Sequence, residues 1–391
     1  MPQISRFLAI VIGMFYSKHG VARFHAAYGE HEAPIQIRQK PELPQVPRPI
    51  ILIGAGGIAR DAHLPAYRKA GFPIAGIHDL NADRARSLAN QFSVNRVFPS
   101  LESAVAEAPA DAVFDIAIPA AEILAVLPHL PGNRGVLIQK PMGENLEQAR
   151  RILEVCSRKQ LRAAVNFQLR YAPYVLAARS LVDQGAIGDL HDLEVRVSVY
   201  TPWHLWAFMQ GIPRVEIVYH SIHYLDLLRS FIGEPRGVYA KTLKHPCSPQ
   251  LASTRSSMIL DYGDTVRACV STNHGHAYGL RHQESFIKWE GTRGAIIAKM
   301  GLLMNYPRGE PDEMEYCALG KSDPPQWESL RIEGSWFPDA FIGTMASVMR
   351  WADDPKDKAA TAVDDAFKTM ALVETAYRSS ERGGEPVIYE E

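Results

Sequence analysis

Residues 50–59 read IILIGAGGIA, four apolar residues running into a glycine turn, and residues 60–72 continue with Ala62, Leu64, Ala66 and Tyr67 at helical spacing. No other stretch restricts the chain as much, because a strand that ends in Gly-x-Gly-x-x-Ala and reopens as a helix is the first half of a βαβ unit. Gly54 permits the tight turn, Gly56 lets backbone amides approach a pyrophosphate, and small Ala59 lets the helix pack closely on a sheet, with Gly57 and Ile58 at the helix N-terminus. A second apolar strand, 73–80, contains Asp79, 23 residues beyond Gly56 and close to the roughly 20 expected of the acid that hydrogen-bonds a ribose 2′-hydroxyl. The pattern predicts NAD, since a carboxylate there repels a 2′-phosphate; Arg84 nearby keeps NADP as the alternative. The plainer alternative is a glycine turn in any α/β protein, with Asp79 as a helix cap.

Strands predicted at 111–119, 135–141 and 161–171 alternate with helices at 120–130 and 145–160, the pattern of a doubly wound parallel sheet. Ligands of such sheets sit beyond the carboxyl ends of the strands, where Pro119, Gln139, Lys140 and residues 166–170 fall. Segments 189–200, 253–263, 265–274 and 283–291 are β-rich and bounded by turn residues. A chain of 391 residues is long for one core, and two domains are expected.

Between the first two of those segments lies RVEIVYHSIHYLD, residues 214–226. On a helix, Glu216, Tyr219, His220, His223 and Asp226 fall within about a third of the circumference, with Val218, Ile222, Leu225, Leu228 and Ile232 opposite. A solvated face normally carries Lys, Glu and Arg; this one points to a cleft. Zinc takes three or four converging ligands. The spacing of Glu216, His220, His223, His274, His276 and His282 shows no such convergence, so no metal is expected, and His220, His274 and His276 read as hydroxyl-recognising or structural residues. Arg170, Trp203 and Trp206 offer a planar donor and aromatic surfaces that suit a sugar ring, although a tryptophan pair is often only core.

The 42 basic and 43 acidic residues create no overall field for nucleic acid or an anionic membrane. Cys156, Cys247, Cys269 and Cys317 show no metal-knuckle spacing and fit a reducing compartment. The run FLAIVIGMF at 7–15 resembles a secretory-signal core, but no clean small-x-small cleavage pattern or twin arginine follows, and it is about half a membrane span. A cytoplasmic location is expected, with export as the lesser alternative. KPELPQVPRP at 40–49 reads as a stiff, extended linker, because its prolines fix their own torsions and restrict their neighbours.

Four features together resemble the Gfo/Idh/MocA family, named for glucose-fructose oxidoreductase and inositol dehydrogenase. They are the GAGGIA loop at 54–59; QKP at 139–141, where the family usually has Glu-Lys-Pro; VNFQLRYAP at 165–173; and HYLDLLRSFIGEP at 223–235, like the family's His-x-x-Asp helix. ALVETAYRSSERGGEPV at 371–387 also looks like its closing helix. The resemblance covers about residues 50–390 and implies an N-terminal extension and linker at 1–49, a Rossmann domain at 50–170, and a substrate-binding and oligomerisation domain at 171–391. That second domain is implied to be α/β, with a large, mostly antiparallel sheet open on one face, giving homodimers or homotetramers.

The implied activity is NAD(P)-dependent hydride transfer to or from a secondary alcohol of a sugar, cyclic polyol or related compound. Such chemistry needs a group to take the hydroxyl proton and a positive neighbour for the developing alkoxide. The resemblance places His223 and Lys140 at the catalytic positions. Many relatives carry an aspartate four residues before the histidine; here that residue is Tyr219, with an ordinary pKa near 10, which needs Lys140 or the cofactor's positive ring nearby to act as a base. The acid/base role is therefore divided between His223 and Tyr219. Cofactor contacts are expected from Gly54, Gly56, Gly57, Ile58, Asp79, Pro119, Gln139 and Lys140, and substrate contacts from Arg170, Trp206, His220 and His274. The alternatives are a glycosidase using NAD for transient sugar oxidation and a non-catalytic dinucleotide-binding sensor.

Overall fold

The computed structural model describes residues 36–389 in full and, as backbone, three antiparallel strands, β1 (Gln3–Phe7), β2 (Ile10–Tyr16) and β3 (Ala22–Tyr28). The expectations for the apolar run at 7–15 lie outside the fully described residues. The proline-rich segment has no regular secondary structure over 41–49. With the residues just before it, it forms a strap across both domains: the Arg38 amide donates to Ser180 Oγ (3.2 Å), while Arg48 meets Asp353 (2.6 Å) and donates to the Asp111 carbonyl (3.0 Å).

The first domain is a parallel sheet of β4 (Ile50–Ile53), β5 (Ile74–His78), β6 (Val113–Ile116), β7 (Gly135–Ile138) and β8 (Arg162–Val165), in the order β5-β4-β6-β7-β8. β4, β6 and β7 are buried along their whole length, as their continuous apolar runs require in a sheet covered on both faces. The strand order reverses between β4 and β6, which is where such a sheet opens a crevice for a ligand. Helix α1 (Leu64–Ala70) follows the glycine turn through a wide π turn at Ala59–His63.

Two local expectations are revised. The helix predicted over 120–130 is broken into short turns, with Pro128 inside the last of them, because proline cannot donate the helical hydrogen bond. The strand predicted over 161–171 stops at Val165, and Gln168–Tyr171 form a 3₁₀ turn. The Asn166 side chain leaves the strand line to bond Gln139 and Thr344.

The second domain is built on eight strands, β9 (Leu190–Ser198), β10 (Gly237–Leu243), β11 (Arg255–Asp261), β12 (Arg267–Asn273), β13 (Glu284–Gly291), β14 (Gly294–Lys299), β15 (Glu313–Ala318) and β16 (Glu328–Leu330). Their order is β10-β11-β12-β9-β13-β14-β15-β16, and the neighbours are antiparallel except β9 with β12. Burial alternates along β11, β12 and β13, so one face packs on helices and the other is open. The chain then returns to the first domain. Phe341, Met345, Val348 and Met349, on a helix at Asp339–Asp353, share one core with Leu52, Val113, Leu137 and Ala164.

The helix expected over 214–232 is a π turn at Ile217–Ser221 running into Ile222–Ile232. It is not amphipathic in place. Every residue from 215 to 229 is buried except Tyr219 and His220, which are partly so, because the segment lies between the sheet and the closing helix Val363–Arg382.

Candidate active site

The glycine turn is shaped by close contact and by space. Gly54 has φ +104°, and a Cβ there would lie 2.4 Å from the Ala117 carbonyl oxygen, so only glycine fits beside the end of β6. At Gly56 a Cβ would meet no atom within 4 Å. This open approach at a helix N-terminus suits a pyrophosphate. Asp79, beyond β5, accepts from the Ala55 amide (2.7 Å) and the Asn81 amide (2.8 Å), which ties the acid to the turn. Asn81, not Asp79, caps the following helix. The open Gly56 and the Asp79 carboxylate tied to the turn have the chemistry that fits a dinucleotide; the nicotinamide supplies the hydride acceptor when bound.

Lys140 follows β7, and its Nζ donates to the Tyr219 carbonyl at 2.7 Å. The bond joins the two domains. Burial pushes the amine down to about 8. His223 is buried between Phe167 and Trp336, with ring centroids at 6.5 and 5.7 Å, and its Nδ1 has no hydrogen-bond partner among the described residues. Burial and then Lys140 drive the His223 imidazole well down. His220 is lowered by burial and then by His274, Lys140 and His223. Lys140, from the end of β7, thus acts on His220 of the π turn and on His223 of the following helix.

Tyr219 departs from its expected role. The wide turn adds a residue to the helical repeat. The Tyr219 carbonyl meets Lys140, while its ring packs against Phe208 (5.9 Å) and lines a cleft of about 500 Å³ with Glu144 and Arg214. Burial, then Glu144, push its hydroxyl up to about 12, the opposite of what a base near neutral pH requires.

Two other side chains turn elsewhere than expected. Gln139 points into the first domain, where its Oε1 accepts from Asn166 (2.9 Å) and lies 3.2 Å from His63 Nε2. Its partners belong to a buried network in which His63 Nδ1 lies 2.7 Å from Asp115 and the Tyr67 hydroxyl donates to the same oxygen at 2.7 Å. Arg170 spends its guanidinium on Asp226 (2.6 Å twice), Asp365 (2.7 Å) and the Ala360 carbonyl (3.0 Å). Arg170→Met leaves Asp226 buried with Arg229, 3.9 Å away, as its one cation among the described residues. A loss of about 3 kcal/mol in urea-unfolding stability is expected, and a loss below about 1 kcal/mol would refute the structural role.

Trp206 lies against Tyr306 (5.4 Å), whereas Trp203 packs on both His220 (5.1 Å) and His274 (5.6 Å). His276 is half-buried, 5.3 Å from the exposed Tyr278 ring. Sequence reasoning passed over His63, Asp115 and Trp336. The signal for Asp115 was present as a carboxylate inside an otherwise apolar strand. Among the described residues, no group of three or more His, Cys, Asp or Glu is arranged to hold a metal ion, and no helix is long and apolar enough to cross a membrane.

A doubly wound domain with an open glycine turn, joined through a buried lysine to an open-sheet domain, defines a dinucleotide-binding oxidoreductase architecture. The comparisons agree. Residues 49–167 match the oxidoreductase family with an NAD-binding Rossmann fold, and residues 175–297 match the GFO/IDH/MocA C-terminal domain. The chain belongs to the Gfo/Idh/MocA family of NAD-binding oxidoreductases. D-apiose dehydrogenase of Rhizobium rhizogenes is 23% identical over 85% of this chain and 95% of its own. An oxidoreductase of Agrobacterium radiobacter, solved with NAD+, L-tartaric acid and magnesium, is 22% identical with a TM-score of 0.71 over 87% of this chain and 98% of that one. Levoglucosan dehydrogenase, solved with NADH and levoglucosan, is 17% identical with a TM-score of 0.68 over 86% of this chain and 98% of that one.

Proposed function

We propose that this protein moves a hydride between NAD and a secondary alcohol of a sugar, cyclic polyol or related compound. The observation that carries this reading is the 2.7 Å bond from Lys140 Nζ to the Tyr219 carbonyl, which brings the amine of the first domain to the segment that bears His220 and His223. Lys140, held by the Tyr219 carbonyl, takes the hydroxyl proton when neutral and stabilises the alkoxide when charged. His223 orients the reacting hydroxyl through Nδ1, which has no hydrogen-bond partner among the described residues. His220, His274 and Trp206 are the proposed substrate-facing residues. Tyr219 serves through its carbonyl, and Arg170 holds the helix bearing His223 through Asp226.

Self-association through the open sheet face is part of the same proposal. Tyr239 (69% exposed) and Ile259 (55% exposed) are cross-strand neighbours there, and an exposed apolar pair on a sheet suits a partner copy. The test of function is a screen of neutral sugars and polyols for NADH formation, with sedimentation to read the assembly. Substrate-dependent NADH accumulation is expected; its absence across the panel, with NAD bound, would overturn the dehydrogenase reading.

A further inference from the structure

Gln139 and Lys140 are consecutive, yet their side chains end in different domains. Lys140 Nζ reaches the Tyr219 carbonyl of the second domain (2.7 Å), whereas the Gln139 amide turns into the first. The Gln139 backbone amide donates to the Ile116 carbonyl at 2.9 Å. Lys140 lies one residue beyond that bond and one before Pro141, which has no N–H to donate. The base of the lysine side chain is therefore held through its neighbour.

Groups from three adjacent strands and the returning helix meet around the Gln139 amide. Asn166, just beyond β8, donates from Nδ2 to Gln139 Oε1 at 2.9 Å, and its own Oδ1 accepts from Thr344 Oγ1 at 2.8 Å, on the helix Asp339–Asp353. His63 Nε2 stands 3.2 Å from the same Gln139 oxygen and 3.3 Å from Asn166 Nδ2, so this ring nitrogen has a partner whether it donates or accepts. His63 Nδ1 donates to the Asp115 carboxylate of β6 at 2.7 Å. Gln139 is 7% exposed, and Asn166, His63, Asp115 and Thr344 are fully buried. Asp115 Oδ1 is buried with no hydrogen bond among the described residues. An apolar core of the same shape would avoid that cost; a connected polar network instead fixes one arrangement of the groups it joins.

Building on the dehydrogenase reading, we propose that Gln139, Asn166 and Thr344, backed by the His63–Asp115 pair, form a clamp that aims Lys140 at the Tyr219 carbonyl. They are positioning residues that act through Lys140 and touch neither cofactor nor substrate. Ordering a long lysine side chain costs rotamer freedom, and a small misplacement of a reacting group lowers the rate steeply. With its base set by Gln139 and its tip by the Tyr219 carbonyl, the amine is kept where burial pushes it down to about 8. The titratable side chains that feel its charge are His220 and His223, each lowered first by burial.

Gln139→Met keeps the side-chain length and removes the acceptor. A lysine released from the clamp gains water, so its midpoint is expected to rise by about one unit. Below both midpoints that rise removes about nine-tenths of the neutral amine, so NADH formation near pH 7 falls about tenfold and the deficit narrows above the new midpoint. Competitive labelling with acetic anhydride over about pH 6 to 11, followed on the Lys140 peptide by mass spectrometry, reads the midpoint in the full chain with no sugar present. The NAD Kd by calorimetry should stay within about twofold. A folded variant that loses stability in urea but keeps the wild-type midpoint overturns the clamp and leaves the network structural only. An unmoved midpoint with the NAD Kd raised about tenfold or more overturns it too, because Gln139 is then a cofactor contact. A raised midpoint in a protein that oxidises no sugar sinks only the dehydrogenase reading. If Gln139→Met does not fold, Thr344→Val, which removes one hydroxyl behind Asn166, carries the same labelling readout with the same expected sign.

Discussion

Lys140→Met is expected to lower the rate of NAD reduction about a thousandfold while leaving NAD affinity within about twofold, because the substitution keeps the apolar stem and removes only the amine. The wild-type amine is pushed down to about 8 by burial, so oxidation should quicken as pH rises through that value and the neutral base accumulates; the variant should lack this limb. A stability signature accompanies it. The folded midpoint lies below the roughly 10.4 of a free lysine, so between the two the unfolded chain binds more protons and stability rises with pH. The lysine's contribution is fully present above the unfolded value and is lost as pH falls through about 8. Urea unfolding of wild type and variant across that window checks the sign, and a variant retaining a tenth or more of the wild-type rate would remove Lys140 from the chemistry.

The glycine turn offers the second large effect. Gly54→Ala should cost about 3 kcal/mol from backbone conformation alone, and the clash with the Ala117 carbonyl adds to it, so a large drop in Tm is expected without any cofactor. Gly56→Ala should fold with stability within about 0.5 kcal/mol of wild type, since its Cβ meets no protein atom within 4 Å. Its cost appears when the pyrophosphate approaches, as a rise of about tenfold or more in the NAD Kd by calorimetry. Equal stability losses at the two positions, or unimpaired NAD binding at Gly56→Ala, would show that the turn is structural and not a nucleotide cradle.

What could be read in advance was local. The run from Ile50 to Ala59 declares its strand, turn and helix through neighbouring residues, and Asp79 keeps its distance because one helix and one strand intervene. Lys140 and His223 were singled out by their likeness to short family motifs; in the fold Lys140 is half-buried and His223 buried. Side-chain direction was less legible. A uniform helical repeat put Tyr219 and His223 on one face, but across the π turn the Tyr219 ring packs on Phe208 and lines the cleft with Glu144 and Arg214, while its carbonyl accepts from Lys140. Gln139 and Arg170 carried no local sign that buried partners would claim them, because Asn166, Asp226 and Asp365 arrive from other elements.

By itself, then, the order of residues determined the glycine turn and the parallel sheet, since each depends on torsional preferences and apolar spacing within a few residues. Only the tertiary structure decided that the helix at Asp339–Asp353 returns to the first sheet, that Glu216 pairs with His274, and that Lys140 bonds across the domains. Those outcomes depend on which distant groups can satisfy a buried charge or cover an apolar face, and that competition is settled by the whole fold.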